Sequence, residues 1–568
     1  MRPLVVLWSV LLAVLLVGAG LGPGYVLTYD MVWVPDLVLR ADVLGVGSAL
    51  PRAVPSDAVV AVLDELLGGW LLQKVVLLAP LVAGGLGVAR LGRALPLSGV
   101  LVAVTIYQWN AFVVERLLIG HWPVLVAYGV LPWVLLAGER WRHEGRLPRV
   151  LLVLLPLGSL SVSAGLATSV ALLAAAAGRR PGGARRSAVA VAMLVAANAP
   201  WLVSGVLHAG AGLTDADGAR VFALAGEGSV PAPLAALSLG GIWNAEVVPP
   251  SRGGLLGWMA LVMVVLLAAL GARRAAVALG RRAVRALLVC WVVGTGAALL
   301  TWAAPGVVGW LAATVPGGGV LRDGGRLLVL AAPALALVCG AGAARVAALN
   351  TGVVRVVVAG GLVLLPVLLL SDPLTTSRWR LHAAEYPAEY EAVSQAVRTS
   401  LVPGDVLVLP LSSYRQPGWN GDRKVLDPLP RVQPREPVSS DELVVSGTVV
   451  AGEDPRVRAA ARALAEPTAA ARRSALAQLG IGLVVVDRTA PGPPVPAELR
   501  RGDLVRGELL ALTRIVATSA TPVPASWTVA MSVAWLAFLG GPLAAVALLL
   551  RRAPALARQV TGRSRSSA

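Results

Sequence analysis

Apolar stretches of about twenty residues recur along the chain. That is the length a helix needs to cross the hydrocarbon core of a bilayer at a rise of about 1.5 Å per residue. On this pattern spans fall at 3–22, 70–89, 95–109, 122–138, 149–162, 165–178, 187–206, 254–272, 285–303, 326–344, 353–371 and 529–550. Arginines punctuate them. Arg90 and Arg93 follow the second span, and Arg140, Arg142, Arg146 and Arg149 follow the fourth. Arg179, Arg180, Arg185 and Arg186 precede the seventh, and Arg273, Arg274, Arg281, Arg282 and Arg285 follow the eighth. Arg345 and Arg355 flank the next turn, and Arg551 and Arg552 close the last span. One topology puts all of these on the same side, which the positive-inside rule makes cytoplasmic. Both termini are then cytoplasmic. The expected fold is an α-helical polytopic membrane protein with about twelve spans in the cell membrane.

The 149–178 stretch has arginines at both ends and Pro156, Gly158 and the 159–165 segment in its middle. It reads as two short helices or a re-entrant pair, an arrangement that occurs where backbone lines a protected or wet cavity. The loops at 23–69 and 207–253 are acidic and fall on the outer side. They carry Asp30, Asp36, Asp42, Asp57, Asp64 and Glu65 in the first, and Asp215, Asp217, Glu227 and Glu246 in the second. Residues 372–528 are the one segment long enough for an extracytoplasmic soluble domain. Within it Tyr386–Val397 reads as an amphipathic helix, Asp405–Leu409 as a buried strand, Ala459–Leu479 as helical and Leu483–Val486 as a second strand ending at Asp487. Helix alternating with Val-rich strand predicts a small α/β domain. The stretch from Gln416 to Pro437 reads as loop, 529–550 as the final span and 551–568 as a basic cytoplasmic tail.

Composition sharpens this reading. Of 568 residues 57% are hydrophobic and 14% charged, against about 25% charged in soluble domains. A net charge of +18 does not indicate nucleic acid, because the arginines lie in short clusters between spans, where they meet anionic lipid headgroups. Cys290 and Cys339 fall in apolar spans and read as small buried residues, not a disulfide. No Cys/His spacing suggests zinc. The apolar run after Met1-Arg2-Pro3 reads as an uncleaved first span rather than a signal peptide.

Four stretches carry candidate chemistry. In the first, Tyr25 to Asp36 (YVLTYDMVWVPD), Asp30 and Asp36 sit just outside the membrane among aromatics. A transferase using a lipid-phosphate donor needs a carboxylate there, as general base toward the acceptor hydroxyl or to hold a divalent cation. The same two residues also suit turns and helix caps. The second, Tyr107 to Pro123, places Glu115 and Arg116 in an apolar run between Asn110 and His121. Charges at membrane depth are costly and mark function, though an interfacial helix with a local ion pair fits too. In the third, Gly240 to Pro250, Trp243, Asn244 and Glu246 suit sugar recognition, and its Gly and Pro equally suit a re-entrant turn. In the fourth, Pro316 to Arg326, Arg322 and Arg326 precede a helix N-terminus on the side where arginine is scarce. They suit a phosphate or pyrophosphate grip, or contact with lipid phosphates. The glycine spacing is not that of a P-loop.

Together TYDMVWVPD, WNAFVVERLLIGHWPVL, GGIWNAEVVPPSR and LRDGGRLLVLAAP resemble large actinobacterial membrane proteins over most of residues 1–371. Those in turn resemble the GT-C class of glycosyltransferases, which includes envelope arabinofuranosyl- and mannosyltransferases. The resemblance implies a polyprenyl-phosphate sugar donor, a cell-envelope glycan or lipid acceptor, and inversion by direct displacement. It implies Asp30 or Asp36 as base, with a divalent cation as an optional cofactor. Arg322 and Arg326 then hold the donor phosphate, and Glu115, Arg116, His121, Trp243, Asn244 and Glu246 line the acceptor cavity. Many GT-C members carry an acidic pair with one residue between; here Asp30 and Asp36 are six apart. Two other classes fit the same pattern of spans: a flippase or transporter of a lipid-linked precursor, and a non-catalytic envelope-assembly protein that docks through 372–528. Few charges lie deep in the spans, which weighs against transport.

Overall fold

The computed structural model describes residues 2–49, 51–177, 183–211, 216, 218–377, 380–445, 447–515 and 523–551. Arg179, Arg180, Asp215, Asp217, Arg552 and the rest of the basic tail lie outside them. Among the described residues eight helices are long and apolar enough to cross a membrane. They become nine when Gly324–Leu330 and Ala332–Ala347, bent by 48°, count as one broken span. The molecule is a multi-pass membrane protein, but twelve full spans are not found among the described residues. The 149–178 stretch forms two short helices, as expected, Leu151–Leu157 and Val162–Ala176, seven and fifteen residues, each short of a full crossing. Ser161 caps the second by accepting from the Ala164 N–H at 3.3 Å. The predicted spans 254–272 and 285–303 lie in one apolar run, Leu255–Ala303, as two helices that meet at a kink at Gly280 (φ 80°, ψ 154°). At 1.5 Å per residue that run is about 74 Å long, far more than a bilayer core of about 30 Å. Gly280 divides it, within the arginine cluster expected to mark a turn.

The span predicted at 95–109 continues to Ile119 as two helices, Leu97–Gln108 and Ala111–Ile119. Asn110 makes the join. Its Oδ1 accepts from the Val113 N–H at 3.0 Å, while Nδ2 donates to the Ile106 and Tyr107 carbonyls at 2.9 Å each. The side chain thus satisfies the end of one helix and the start of the next. Tyr107 stacks on Tyr128 (4.2 Å between centroids) and Phe112 on Tyr128 (5.6 Å), which fixes this pair against the helix Trp122–Glu144.

The C-terminal region carries a five-stranded sheet in the order Val505–Arg506, Leu510–Arg514, Ile481–Asp487, Asp405–Leu409, Pro437–Val438. The last three are mutually parallel and the first two antiparallel. Every residue of Asp405–Leu409 and Ile481–Asp487 is buried, as expected of Val-rich parallel strands covered on both faces. The predicted helix 459–479 is two, Pro455–Leu464 and Ala469–Gln478, the second capped by Thr468. The stretch read as loop contributes a strand: Val425–Leu426 pairs antiparallel with Tyr414–Arg415. Arg415 lies beside the carboxyl ends of the parallel strands Asp405–Leu409 and Ile481–Asp487. Its Nη2 lies 2.7 Å from Asp427 and its Nε 3.8 Å from Asp487, and its guanidinium donates to the Ser412 and Pro410 carbonyls.

This region is stitched along the loop that begins at residue 22. Tyr25 and Val26 pair with Ala384 and Ala383. The Tyr29 N–H donates to the Lys424 carbonyl and its own carbonyl accepts from Leu426, both at 2.7 Å. Arg40 donates to the Gln433 carbonyl, Ser48 to Glu436, and Arg431 pairs with Asp57 at 3.0 Å.

Candidate active site

Asp30 stands where three segments meet. Its N–H donates to the Ile119 carbonyl at 2.9 Å, and the neighbouring Thr28 hydroxyl donates to Leu118. The helix Ala111–Ile119 ends at Gly120 in the left-handed region (φ 84°). A Cβ there would overlap the backbone nitrogen of Met31. Glycine therefore lets the Asp30–Met31 backbone lie directly on the corner between the two helices, and the next residue is His121.

The side chains form a connected polar chain. His121 Nε2 is 3.2 Å from Asp30 Oδ2, and the Tyr414 hydroxyl donates to Asp30 Oδ1 at 2.6 Å. Arg116 Nη1 lies 3.1 Å from His121 Nδ1, and Arg326 Nη2 lies 3.3 Å from His121 Nε2. Arg326 Nε donates to Asp323 Oδ2 at 2.7 Å, and Trp243 Nε1 donates to the same oxygen at 3.2 Å. Arg116 is 3.9 Å from Asp323 and only 2% exposed.

The protons on His121 follow from its neighbours. Burial, with Arg326 and Arg116 close by, pulls its pKa down to about 4 against the opposing pull of Asp30, so the ring is neutral at pH 7. Arginine can only donate, so Nδ1 accepts from Arg116 and Nε2 carries the hydrogen that it gives to Asp30; the approach of Arg326 to Nε2 is then a charge contact and not a hydrogen bond. Burial alone would raise the Asp30 pKa. The hydrogen bonds from His121 and Tyr414 and the charge of Arg326 outweigh it and hold the carboxyl below its ordinary range. Asp30 is ionised at neutral pH. Burial and the Asp30 charge push the Tyr414 phenol well up, so it remains a donor. Asp323 is likewise held low, burial being outweighed by the charges of Arg326 and Arg116 and the hydrogen bond from Trp243.

Two hollows adjoin this chain. One is an open cleft of about 390 Å³ lined by Tyr29, Trp243, Asn244, Glu246, Tyr414, Lys424 and the hairpin residues Leu443–Val445. In it Glu246 accepts from the Tyr29 hydroxyl at 2.8 Å and pairs with Lys424 at 3.1 Å. The other is a mostly apolar slot walled by Leu166, Leu300, Val320, Leu321 and Leu327, with Asp323 at one edge. Trp243, which lines the first, is hydrogen-bonded to Asp323, which lines the second.

Of the residues singled out from sequence, Asp30, Arg116, His121, Arg326 and Trp243 come together here, and Asn244 and Glu246 line the adjoining cleft. Asp36 does not join them. Its side chain is 53% exposed and pairs with Arg398 at 3.2 Å. Asp30 sits within the tight turn closed by Thr28 and Met31, and Asp36 lies beyond it. Arg322 turns from Arg326 to lie over the Phe222 ring (4.6 Å) and 4.0 Å from Glu453. The Gly324–Leu330 segment winds as a 3-10 helix, so the two arginines do not share an α-helical face. Glu115 is buried apart from the chain, beside Glu227, which Arg252 neutralises at 2.6 Å. Tyr414 and Asp323 carried no sequence signal of their own: a lone tyrosine far along the chain, and an aspartate overshadowed by its arginines.

A divalent cation does not suit these donors. Asp30 has both oxygens engaged by donors, and its neighbours are two guanidiniums. Among the described residues no three His, Cys, Asp or Glu side chains cluster as metal ligands.

No family model matches the sequence, and no curated protein matches it. The fold is similar to that of a membrane glycosyltransferase. The arabinofuranosyltransferase AftD from Mycobacteria superposes with a TM-score of 0.52 at 16% identity over 86% of this chain and 35% of the other. A mutant form of AftD, R1389S, superposes with a TM-score of 0.54 at 16% identity over 91% of this chain and 42% of the other. The chain thus spans well under half the length of AftD. The apo oligosaccharyltransferase of Archaeoglobus fulgidus aligns at 12% identity over 85% of this chain and 69% of the other, with a TM-score of 0.44. The resemblance to the GT-C class read from the sequence holds at the level of fold.

Proposed function

We propose that the protein is a membrane-embedded glycosyltransferase that moves a sugar from a polyprenyl-phosphate donor to a cell-envelope glycan or lipid acceptor at the outer face. The observation that carries this reading is Asp30. It is an ionised carboxylate held by two neutral donors beside an aromatic-lined cleft, with two guanidiniums behind it. In the reaction an acceptor hydroxyl in the cleft attacks the anomeric carbon, Asp30 takes its proton, and the bond from that carbon to the phosphate oxygen breaks. Arg326 and the buried Arg116 offset the charge left on the lipid phosphate, and the apolar slot beside Asp323 suits the first units of the lipid chain. The cleft's tyrosines and Trp243 offer ring faces to a sugar, and Asn244, Glu246 and Lys424 offer hydrogen bonds. The shared fold with AftD supports the reaction class.

Asp30→Asn should abolish the activity, because the amide cannot take a proton. Asp36→Asn should leave it within about two-fold, since an exposed ion pair contributes roughly 0–1 kcal/mol. The measurement compares envelope glycans and lipid-linked sugars in a deletion strain of the native host rescued with each form, after checking that each reaches the membrane. A truncated glycan with its lipid-linked donor accumulating, in Asp30→Asn alone, is the expected result. Wild-type glycans in Asp30→Asn would remove the transferase reading.

A further inference from the structure

Tyr414 and Arg415 are neighbours on one short strand, and their side chains point to opposite sides of it. Arg415 is rooted beside the C-terminal sheet by Asp427, Asp487 and two carbonyls, and is 1% exposed. Tyr414 therefore projects from a fixed base toward the membrane domain, where its hydroxyl meets Asp30 Oδ1 at 2.6 Å. The partner strand of the same hairpin, Val425–Leu426, is bonded to the backbone of Tyr29 on both sides, so the residue preceding Asp30 is clamped by the hairpin that carries Tyr414. Lys424 lies 5.7 Å from the Tyr29 ring and 5.5 Å from the Tyr414 ring, which keeps both rings upright at the cleft wall.

We propose that the C-terminal region completes the reactive site, with Tyr414 as a positioning residue that aims the Asp30 carboxylate at the cleft. The proposal rests on Asp30 being the base. Tyr414 fixes one carboxylate oxygen and His121 the other, so the carboxylate plane cannot turn and its outward lone pairs face the acceptor. The charged and titratable groups around Asp30 are His121 from the helix corner, Arg326 and Asp323 from the 322–326 segment, Arg116 behind His121, and Tyr414 with Lys424 and Glu246 from the cleft. Of these Tyr414 lies on the two-stranded hairpin of the C-terminal region and touches Asp30 directly. Removing its hydroxyl takes away one of the donors that favour the ionised carboxylate, so Asp30 should protonate at higher pH.

The test uses full-length protein in membranes of the deletion strain, measuring the sugar transfer those membranes otherwise lack as a function of pH, for wild type, Tyr414→Phe and Asp30→Asn. Phenylalanine keeps the ring and the cleft wall, and the thermal midpoint in detergent checks the fold. The expected result is a fall of roughly tenfold in Tyr414→Phe, as for loss of a hydrogen bond to a charged group, with the acid limb of the pH profile moved to higher pH. A wild-type rate and profile in Tyr414→Phe, with Asp30→Asn inactive, would overturn the positioning role while leaving the transferase reading intact. Full activity in Asp30→Asn would overturn that reading, and the positioning role with it.

Discussion

At the scale of single residues the site depends on which groups are charged. His121 is a neutral donor, Asp30 an anion, and Arg116 and Arg326 are cations that face Asp323 and the imidazole. On the proposed reading Arg116 and Arg326 offset the charge of the leaving phosphate, and among the described residues no three His, Cys, Asp or Glu side chains cluster as a metal site. It follows that transfer should survive removal of divalent cations. Membranes treated with excess EDTA and then washed should keep activity within about two-fold; a loss restored by magnesium, manganese or calcium would show that a cation enters between Asp30 and the donor. The sequence made Asp30, His121 and Arg326 visible because each is a polar residue next to an apolar span, where such residues are rare. It could not separate Asp30 from Asp36 or Arg322 from Arg326. Their parting is decided by one turn of backbone and by a short 3-10 segment, neither of which leaves a periodic signal.

At the scale of elements the long apolar helices were legible and the joins between them only in part. Hydrophobic length locates a helix but does not say where it breaks. Asn110 cuts one expected span into two, whereas the break in 149–178 was readable from Pro156 and Gly158 and the one at Gly280 from the arginines around it. The strands Asp405–Leu409 and Ile481–Asp487 were readable because both faces are buried and the run is nearly all Val, Leu and Ile. The Tyr414–Leu426 hairpin was missed because its strands are two residues long and mostly polar in context. One helix end carries particular weight. Gly120 closes Ala111–Ile119 in a left-handed conformation with the Asp30–Met31 backbone against its Cα. Gly120→Ala should cost more than the roughly 1 kcal/mol usual for alanine at positive φ, because the intruding methyl meets backbone rather than a movable side chain. A clear drop in the thermal midpoint, together with lost transfer as Asp30 is pushed from His121, is the expected outcome. An unchanged midpoint would mean the loop does not rest on this corner.

At the scale of the whole molecule the C-terminal region is bound into the membrane domain along the length of the first loop, from Tyr25 through Asp57. An assembly protein would use such a region as a docking module free of the loop carboxylates. Here the same contacts that hold the region also build the surroundings of Asp30, so the two functions cannot be separated by geometry. The arrangement makes a mechanical prediction. Val26 and Ala383 are direct partners in an antiparallel pair, where Cα atoms lie about 4.5–5.5 Å apart, within the range a disulfide spans. The double variant Val26→Cys with Ala383→Cys should therefore oxidise readily, while the native Cys290 and Cys339 are buried and stay out of reach. If the docked arrangement is the working one, the cross-linked protein should transfer sugar at a rate within about two-fold of its reduced form. A mobility shift on non-reducing gels would follow the cross-link in the same samples. Loss of activity on oxidation, recovered on reduction, would instead mean that the region swings away during each cycle to admit the acceptor. In that case the contact between Tyr414 and Asp30 would belong to one stage of turnover only.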